Sequence, residues 1–391
     1  MRSDIKSKHF FVLLSFLVYL QFMSFKVYSA DNLLVVSIDG LRWQEVFRGF
    51  DQGLMDDPEI TEQAGNLEKR FGANTQAQRR QKLMPFLWST VATNGLLMGN
   101  LDVGSPMLLT NHLWFSYPGY NELLTGRADP TIDSNKSAPN PNESFLEWLN
   151  KQAAFKNRVA AFGSWDVFPA ILNTQRSKLM VNAGFMPADW ENVSVKARWL
   201  NELQKDIPSP WHNVRLDAFT HGFAQAYISA KRPKVIYLAL GETDDFAHDG
   251  EYHQYLQAAH RSDQFIASLW QTLQNLPQYR DNTNLIITVD HGRGSTKKTW
   301  QHHGSAEALR GYLKTIAEDS ELGKTGVVGS DQVWLAAMGP DVPASGELTN
   351  TATRYLNQVA ATALALLEQE PQQFAKNIGK VLPEVVEGEM K

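Results

Sequence analysis

An α/β fold with a mostly parallel central sheet flanked by helices is what the alternation of patterns along this chain predicts. Five short apolar runs rich in β-branched residues, at 33–38, 159–162, 235–240, 285–289 and 333–337, have the length and composition of buried strands. Helical patterns fall between and after them, at 143–151, 219–230, 252–276 and 352–368. Strands that alternate with helices pair in parallel and need cover on both faces, which is why the runs are continuously apolar. At 391 residues, 43% of them hydrophobic, the chain can bury one full core of this kind.

Taken in order, residues 1–30 stand apart from the rest. Arg2, Lys6 and Lys8 precede an apolar run from Phe10 to Phe25, and the small residues Ser29 and Ala30 follow. This is the pattern of a secretory signal peptide and predicts a periplasmic or secreted protein, with an uncleaved membrane anchor as the alternative. Cleavage after Ser29 puts Val27 at the −3 position, and cleavage after Ala30 puts Tyr28 there. Removing residues 1–30 takes away four basic residues and one acid, moving the net charge from −5 to −8. No later apolar run approaches the roughly 18 residues that a bilayer span requires, so none is expected in the mature chain.

The catalytic body is expected at 31–370, interrupted by two insertions that cap one face. Residues 51–111 are rich in Gln, Asn, Gly and Arg and carry no clear strand signal. Residues 164–232 hold Pro169, Pro187, Pro208 and Pro210 and several Trp. Long insertions of this kind are usually caps or functional loops. Residues 371–391, with Pro371 and Pro383, read as a loosely packed C-terminal tail.

Composition narrows the chemistry. The chain has no cysteine, which removes disulfides, thiolate-bound zinc, iron–sulfur clusters and thiol nucleophiles. An acidic net charge argues against a nucleic-acid surface.

The strand ends carry the candidate site. Asp39 closes Val35-Val36-Ser37-Ile38-Asp39-Gly40, at a strand C-terminus where open α/β sheets place their ligands. The third run leads into Gly241-Glu242-Thr243-Asp244-Asp245-Phe246-Ala247-His248, and a four-residue spacing puts Asp244 and His248 on one helical face. The fourth ends Thr288-Val289-Asp290-His291-Gly292, and Gln301-His302-His303-Gly304 follows a short loop later. Any one of these has a bland reading as a turn, a cap or a surface histidine. Together Asp39, Asp244, His248, Asp290, His291 and His303 make three carboxylates and three imidazoles, enough for two three-ligand sites for zinc or a similar divalent ion. Ser116, in Phe115-Ser116-Tyr117-Pro118-Gly119-Tyr120 before a predicted helix, offers the hydroxyl that such a site would activate.

In type and order these motifs resemble the alkaline phosphatase superfamily, most closely its nucleotide pyrophosphatase/phosphodiesterase-like branch, over residues 33–367. The resemblance implies an alkaline-phosphatase-like fold and one zinc held by Asp244, His248 and His303. It implies a second zinc held by Asp39, Asp290 and His291, with Ser116 as nucleophile and supplementary ligand beside it. His302 competes for the last place, but the family's histidine precedes a glycine, as His303 does. Asn135 is the match for the branch's phosphate-binding asparagine. The implied function is an exported, two-metal hydrolase of small phosphorylated substrates.

The departures matter as well. The branch has Thr as nucleophile and Asn-His after the proline, where this chain has Ser116 and Gly119-Tyr120. Ala239 stands where alkaline phosphatases carry a third-metal glutamate. Sulfatases share the fold and begin their modified turn as Ser116-Tyr117-Pro118 does, but Tyr120 fills their arginine position. A sulfatase-like hydrolase and a non-catalytic phosphate-ligand-binding protein are therefore the alternatives. Arg127 and Arg293 are the nearby cations for a phosphate contact, although loop arginines are as a rule solvated. His253 and His260, on a predicted helix after the Asp244–His248 motif, are expected at the surface or behind the ligands and not as ligands, and His112, His212 and His221 are expected to be structural.

Overall fold

The computed structural model describes residues 29–313 and 320–386. Residues 1–28 of the signal-like segment lie outside the described residues. The strands are β1 (Asn32–Ile38), β2 (Gly95–Met98), β3 (Met107–Leu108), β4 (Val159–Gly163), β5 (Met180–Ala183), β6 (Val235–Leu240), β7 (Thr283–Thr288), β8 (Leu335–Met338), β9 (Gly346–Glu347) and β10 (Arg354–Tyr355). Eight of them form one sheet in the order β5-β4-β6-β1-β7-β8-β2-β9, and β10 pairs with β3 in a small second sheet.

The five strands from β5 to β7 run parallel, while β8 is antiparallel to both β7 and β2. Every residue of β1, β6 and β7 is buried, which accounts for their unbroken apolar runs. Leu33, Val35 and Ile38 of β1 pair with Val235, Tyr237 and Leu240 of β6, so the central strands bury their side chains layer by layer. Because β1, β4, β6 and β7 are parallel, their C-termini meet at one edge of the sheet.

Flanking helices complete the core. Six position the site or its supports: α1 (Ser116–Thr125), α2 (Phe145–Lys151), α3 (Asp217–Lys231), α4 (Glu242–His248), α5 (Tyr252–Gln274) and α6 (Gln358–Ala365). In α5, Tyr252, Tyr255, Leu256, Ala259, Ile266, Leu269 and Leu273 recur at helical spacing and are buried. The α2 start is capped by Ser144, whose hydroxyl accepts from the Glu147 N–H at 3.1 Å.

Three expectations require correction. Residues 51–111 do contain a sheet strand, β2, whose Leu96, Leu97 and Met98 are buried between β8 and β9. Residues 164–232 likewise supply the edge strand β5 and the covering helix α3, so neither insertion is only a cap. The tail is not loose over its described part: Leu382 and Val385 are fully buried, and Arg354 pairs with Glu384. The Gly379 N–H donates to the Gly126 carbonyl at 2.9 Å, fastening the tail to the end of α1.

Removing a fully buried leucine costs about 2–5 kcal/mol. Leu382→Ala is therefore expected to lower the unfolding free energy of the whole protein by an amount in that range, read as a lower urea midpoint at unchanged m. An unchanged midpoint would show that the tail is not part of the core.

Candidate active site

The site is assembled at the sheet edge where β1, β6 and β7 end. Asp39 directly follows β1, and its backbone N–H donates to Leu240 at the end of β6 at 2.9 Å. Gly40 takes φ +59°, and a Cβ there would lie 2.6 Å from Asp244 Oδ1, so the turn must be glycine for the two carboxylates to approach. The Gly40 N–H donates to Asp290 Oδ1 at 3.2 Å, and the Thr243 hydroxyl to the Asp39 carbonyl at 2.5 Å. Each strand end is thus tied to the next.

His291 stands in the middle. Its Nε2 lies 3.3 Å from Asp39 Oδ1, 3.5 Å from Asp290 Oδ2 and 3.7 Å from Asp244 Oδ1. Its Nδ1 is 2.8 Å from the Gly292 carbonyl, which only accepts, so Nδ1 carries a proton and Nε2 faces the carboxylates. On α4, His248 Nε2 is 3.2 Å from Asp244 Oδ2, and His303 Nε2 lies 2.9 Å from His248 Nε2 and 3.8 Å from Asp244 Oδ1. Ligand-type atoms of Asp39, Asp290 and His291 fall within 4.8 Å of one another, as do those of Asp244, His291 and His303. All six expected ligands are brought together, with His291 between the two groups.

Ser116 opens α1, and its Oγ sits 3.3 Å from His291 Nε2. The loop that delivers it is braced from inside. Buried Glu122 accepts from the Thr110 and Asn111 N–H groups, and Asn111 Oδ1 accepts from Leu113 and Trp114, at 2.8–3.1 Å. Trp114 is held at φ +57°, a conformation that L-residues adopt only under such constraint. Asn135 Oδ1 accepts from the Tyr117 N–H at 2.9 Å, which leaves its amide N–H groups for the cavity it lines.

The electrostatics call for a cation. Asp39 Oδ1 and Asp290 Oδ2 are buried without a hydrogen bond, a costly state for carboxylates unless a positive charge faces them. Burial, with Asp244 beside it, pushes Asp39 up, and burial with Asp39 pushes Asp290 well above the carboxylate range. For His291 burial opposes the charged form, but Asp290, Asp39 and Asp244 outweigh it and raise the imidazole to about 9. Asp244 goes the other way: burial is overcome by Arg293 and His248, which hold it well below its ordinary value. Two unpaired carboxylate oxygens facing imidazole nitrogens form the donor set that suits zinc and similar ions, so the residues fit the metal.

Neither Arg127 nor Arg293 lines the cavity. Arg293 is fully buried, with its guanidinium on Asp244 and the Trp300 and Gln301 carbonyls, because a charge sealed under the strand ends must be paired on every side. Arg127 is spent on Asn142 and Asn377. Residues that the sequence gave no reason to single out line the cavity instead: Asp245, Asn213, Val214, Leu309 and Val327. His302 also lines it.

A buried, metal-suited cluster at the C-terminal edge of this sheet defines the alkaline phosphatase superfamily of ester hydrolases. The chain belongs to the type I phosphodiesterase / nucleotide pyrophosphatase family, whose profile matches residues 128–385, and is a phosphoric ester hydrolase. The match includes Asp244, His248, Asp290, His291 and His303 and begins after Asp39 and Ser116. No curated protein matches the sequence significantly. Among solved structures, the alkaline phosphatase PafA is 10% identical with a TM-score of 0.55, covering 92% of this chain and 99% of its own. A putative sulfatase from Bacteroides thetaiotaomicron is 13% identical with a TM-score of 0.55, covering 93% and 76%. The lipoteichoic acid synthase LtaP from Listeria monocytogenes is 11% identical with a TM-score of 0.52, covering 88% and 74%. At such identities the likeness is one of fold.

A histidine raised from 6.5 to about 9 stabilises the native state fully below pH 6.5, and that stabilisation is lost as pH rises through about 9. Raised, buried Asp39 and Asp290 act in the same direction. The Tm of metal-free protein is therefore expected to fall as the pH is raised from 6.5 past 9, and saturating zinc to flatten the fall. A metal-free Tm that rises across this window contradicts the assignment.

Proposed function

We propose that this chain is an exported phosphodiesterase that holds two divalent ions, zinc by the ligand set, and uses Ser116 as its nucleophile. The observation that carries the diester preference is the cavity over Ser116. It encloses about 690 Å³ and is walled by Phe115, Trp165, Val167, Val214, Leu309 and Leu322. Among the described residues no lysine or arginine lines it.

A phosphomonoester brings two negative charges on its non-bridging oxygens, and beyond the proposed ions an apolar wall is a poor place for the second. A diester brings one charge and a second ester group that needs room, which the apolar wall supplies. Ala239, buried in β6, offers no ligand for a further cation. The sulfatase alternative loses ground for a related reason: where its pattern needs an arginine, the Tyr120 hydroxyl is engaged by Asp39 at 2.8 Å.

Asp244, His248 and His303 would hold one ion, and Asp39, Asp290 and His291 the other. Such ions acidify the attacking hydroxyl and draw charge off the phosphoryl oxygens and leaving group. Ser116 attacks phosphorus from the start of α1, forming the Ser116 Oγ–P bond as the bond to the leaving oxygen breaks in line. The proton shed by the serine hydroxyl ends on the leaving oxygen, and water then cleaves the seryl ester, its oxygen going to phosphorus and its proton restoring the Ser116 hydroxyl. Asn135 contributes its free amide N–H groups to a phosphoryl oxygen, while the brace from Glu122 keeps the serine at a fixed depth.

For an aryl phosphate and its alkyl aryl diester, kcat/KM is expected to favour the diester by more than about a hundredfold, roughly 2.7 kcal/mol of differential transition-state binding. A preference for the monoester reverses the proposed class. Ser116→Ala is expected to lose several orders of magnitude in turnover with metal content nearly intact. Wild-type rates in that variant would remove Ser116 from the mechanism.

A further inference from the structure

Tyr120 lies one helical turn beyond Ser116 on α1 and is buried. Its hydroxyl donates to Asp39 Oδ2 at 2.8 Å, while Asp39 Oδ1 has no hydrogen bond and faces His291 Nε2. The two oxygens of one carboxylate are thereby made unequal. The tyrosine ring is clamped in turn: Phe168 meets it edge-on with centroids 4.8 Å apart, and Trp165 lies at 6.4 Å. The helix itself is pressed onto the metal-side backbone at Gly119, where a Cβ would fall 2.2 Å from the Asp290 carbonyl oxygen. Only glycine permits that approach, and the approach is what brings the Tyr120 hydroxyl within reach of Asp39.

We propose that Tyr120 is a positioning residue for the ion held by Asp39, Asp290 and His291: it occupies Asp39 Oδ2 so that Oδ1 alone is presented to the ion. The proposal rests on the two-ion reading above. A carboxylate free to rotate can bind through either oxygen or both. A single donor on one oxygen removes that freedom, and groups that orient a ligand in this way commonly govern metal affinity by 10–100-fold. Since α1 carries both Ser116 and Tyr120, one rigid turn sets the nucleophile and the ligand geometry together. The ordinary alternative is a buried tyrosine that merely satisfies its own hydroxyl, which would affect stability and leave the ions alone.

Zinc titration of the full-length protein against a chromophoric chelator separates these. Wild type is expected to take up two ions. Tyr120→Phe is expected to bind one as tightly as wild type and the other 10–100-fold more weakly. In an Asp39→Ala background, adding Tyr120→Phe is expected to cause no further loss. Tyr237→Phe is the matched control, because it deletes an equally buried hydroxyl, on β6, that contacts Ser37 of β1 at 2.8 Å; both affinities should stay within about twofold. Two unchanged affinities in Tyr120→Phe, an equal weakening of both, or the same loss in Tyr237→Phe overturns the proposal while the two-ion reading stands. Fewer than two ions in wild type overturns that reading and the proposal with it.

Discussion

Three carboxylates crowded into a buried strand edge are the constraint on which the rest of this structure depends. Asp39 and Asp290 offer oxygens within 4.8 Å of each other, and at that separation two unit charges repel by about 3–4 kcal/mol even in a medium of effective dielectric 20. Nothing in an apolar core would bring them together for stability. The fold holds them there through backbone: a left-handed glycine at 40, cross-strand hydrogen bonds at the β1, β6 and β7 ends, and a sheet whose central strands are wholly buried. Arg293, sealed beneath Asp244, offsets part of the charge and leaves the remainder directed at the cluster of imidazoles. The stability that the apolar strands supply offsets the cost of assembling this candidate cation site.

Helix α1 translates this cluster into chemistry. Its first residue presents a hydroxyl to His291, and its second turn reaches Asp39 through Tyr120. Glu122 on the same helix braces the preceding loop, so the proposed nucleophile, the Tyr120–Asp39 contact and the loop geometry share a single element. Much of the apolar wall of the cavity above comes from other segments, Trp165 and Val167 after β4, Val214, and Ala308, Leu309, Leu322 and Val327.

The central strands were legible because burial on both faces demands unbroken apolar runs, and β1, β4, β6 and β7 coincide with them. Short strands were not: Met180-Val181-Asn182-Ala183 of β5 has an asparagine in its middle, and β2 and β9 take their places through partners distant in sequence. The ligand residues announced themselves as polar groups stopping apolar runs at several strand ends, a pattern with little structural reason to recur. Tyr120 showed only as a departure from a known motif, since its contact with Asp39 spans 81 positions. The burial of Arg293 and the docking of Leu382 and Val385 were likewise invisible, because each depends on what folds over it and nothing in the local pattern reports that.

The claim that this acid cluster exists to hold cations is tested most directly by the metal content of the wild-type chain. Protein saturated with zinc and freed of unbound ion should retain two equivalents per chain by elemental analysis. Retention below about 1.5 equivalents would contradict a two-metal site.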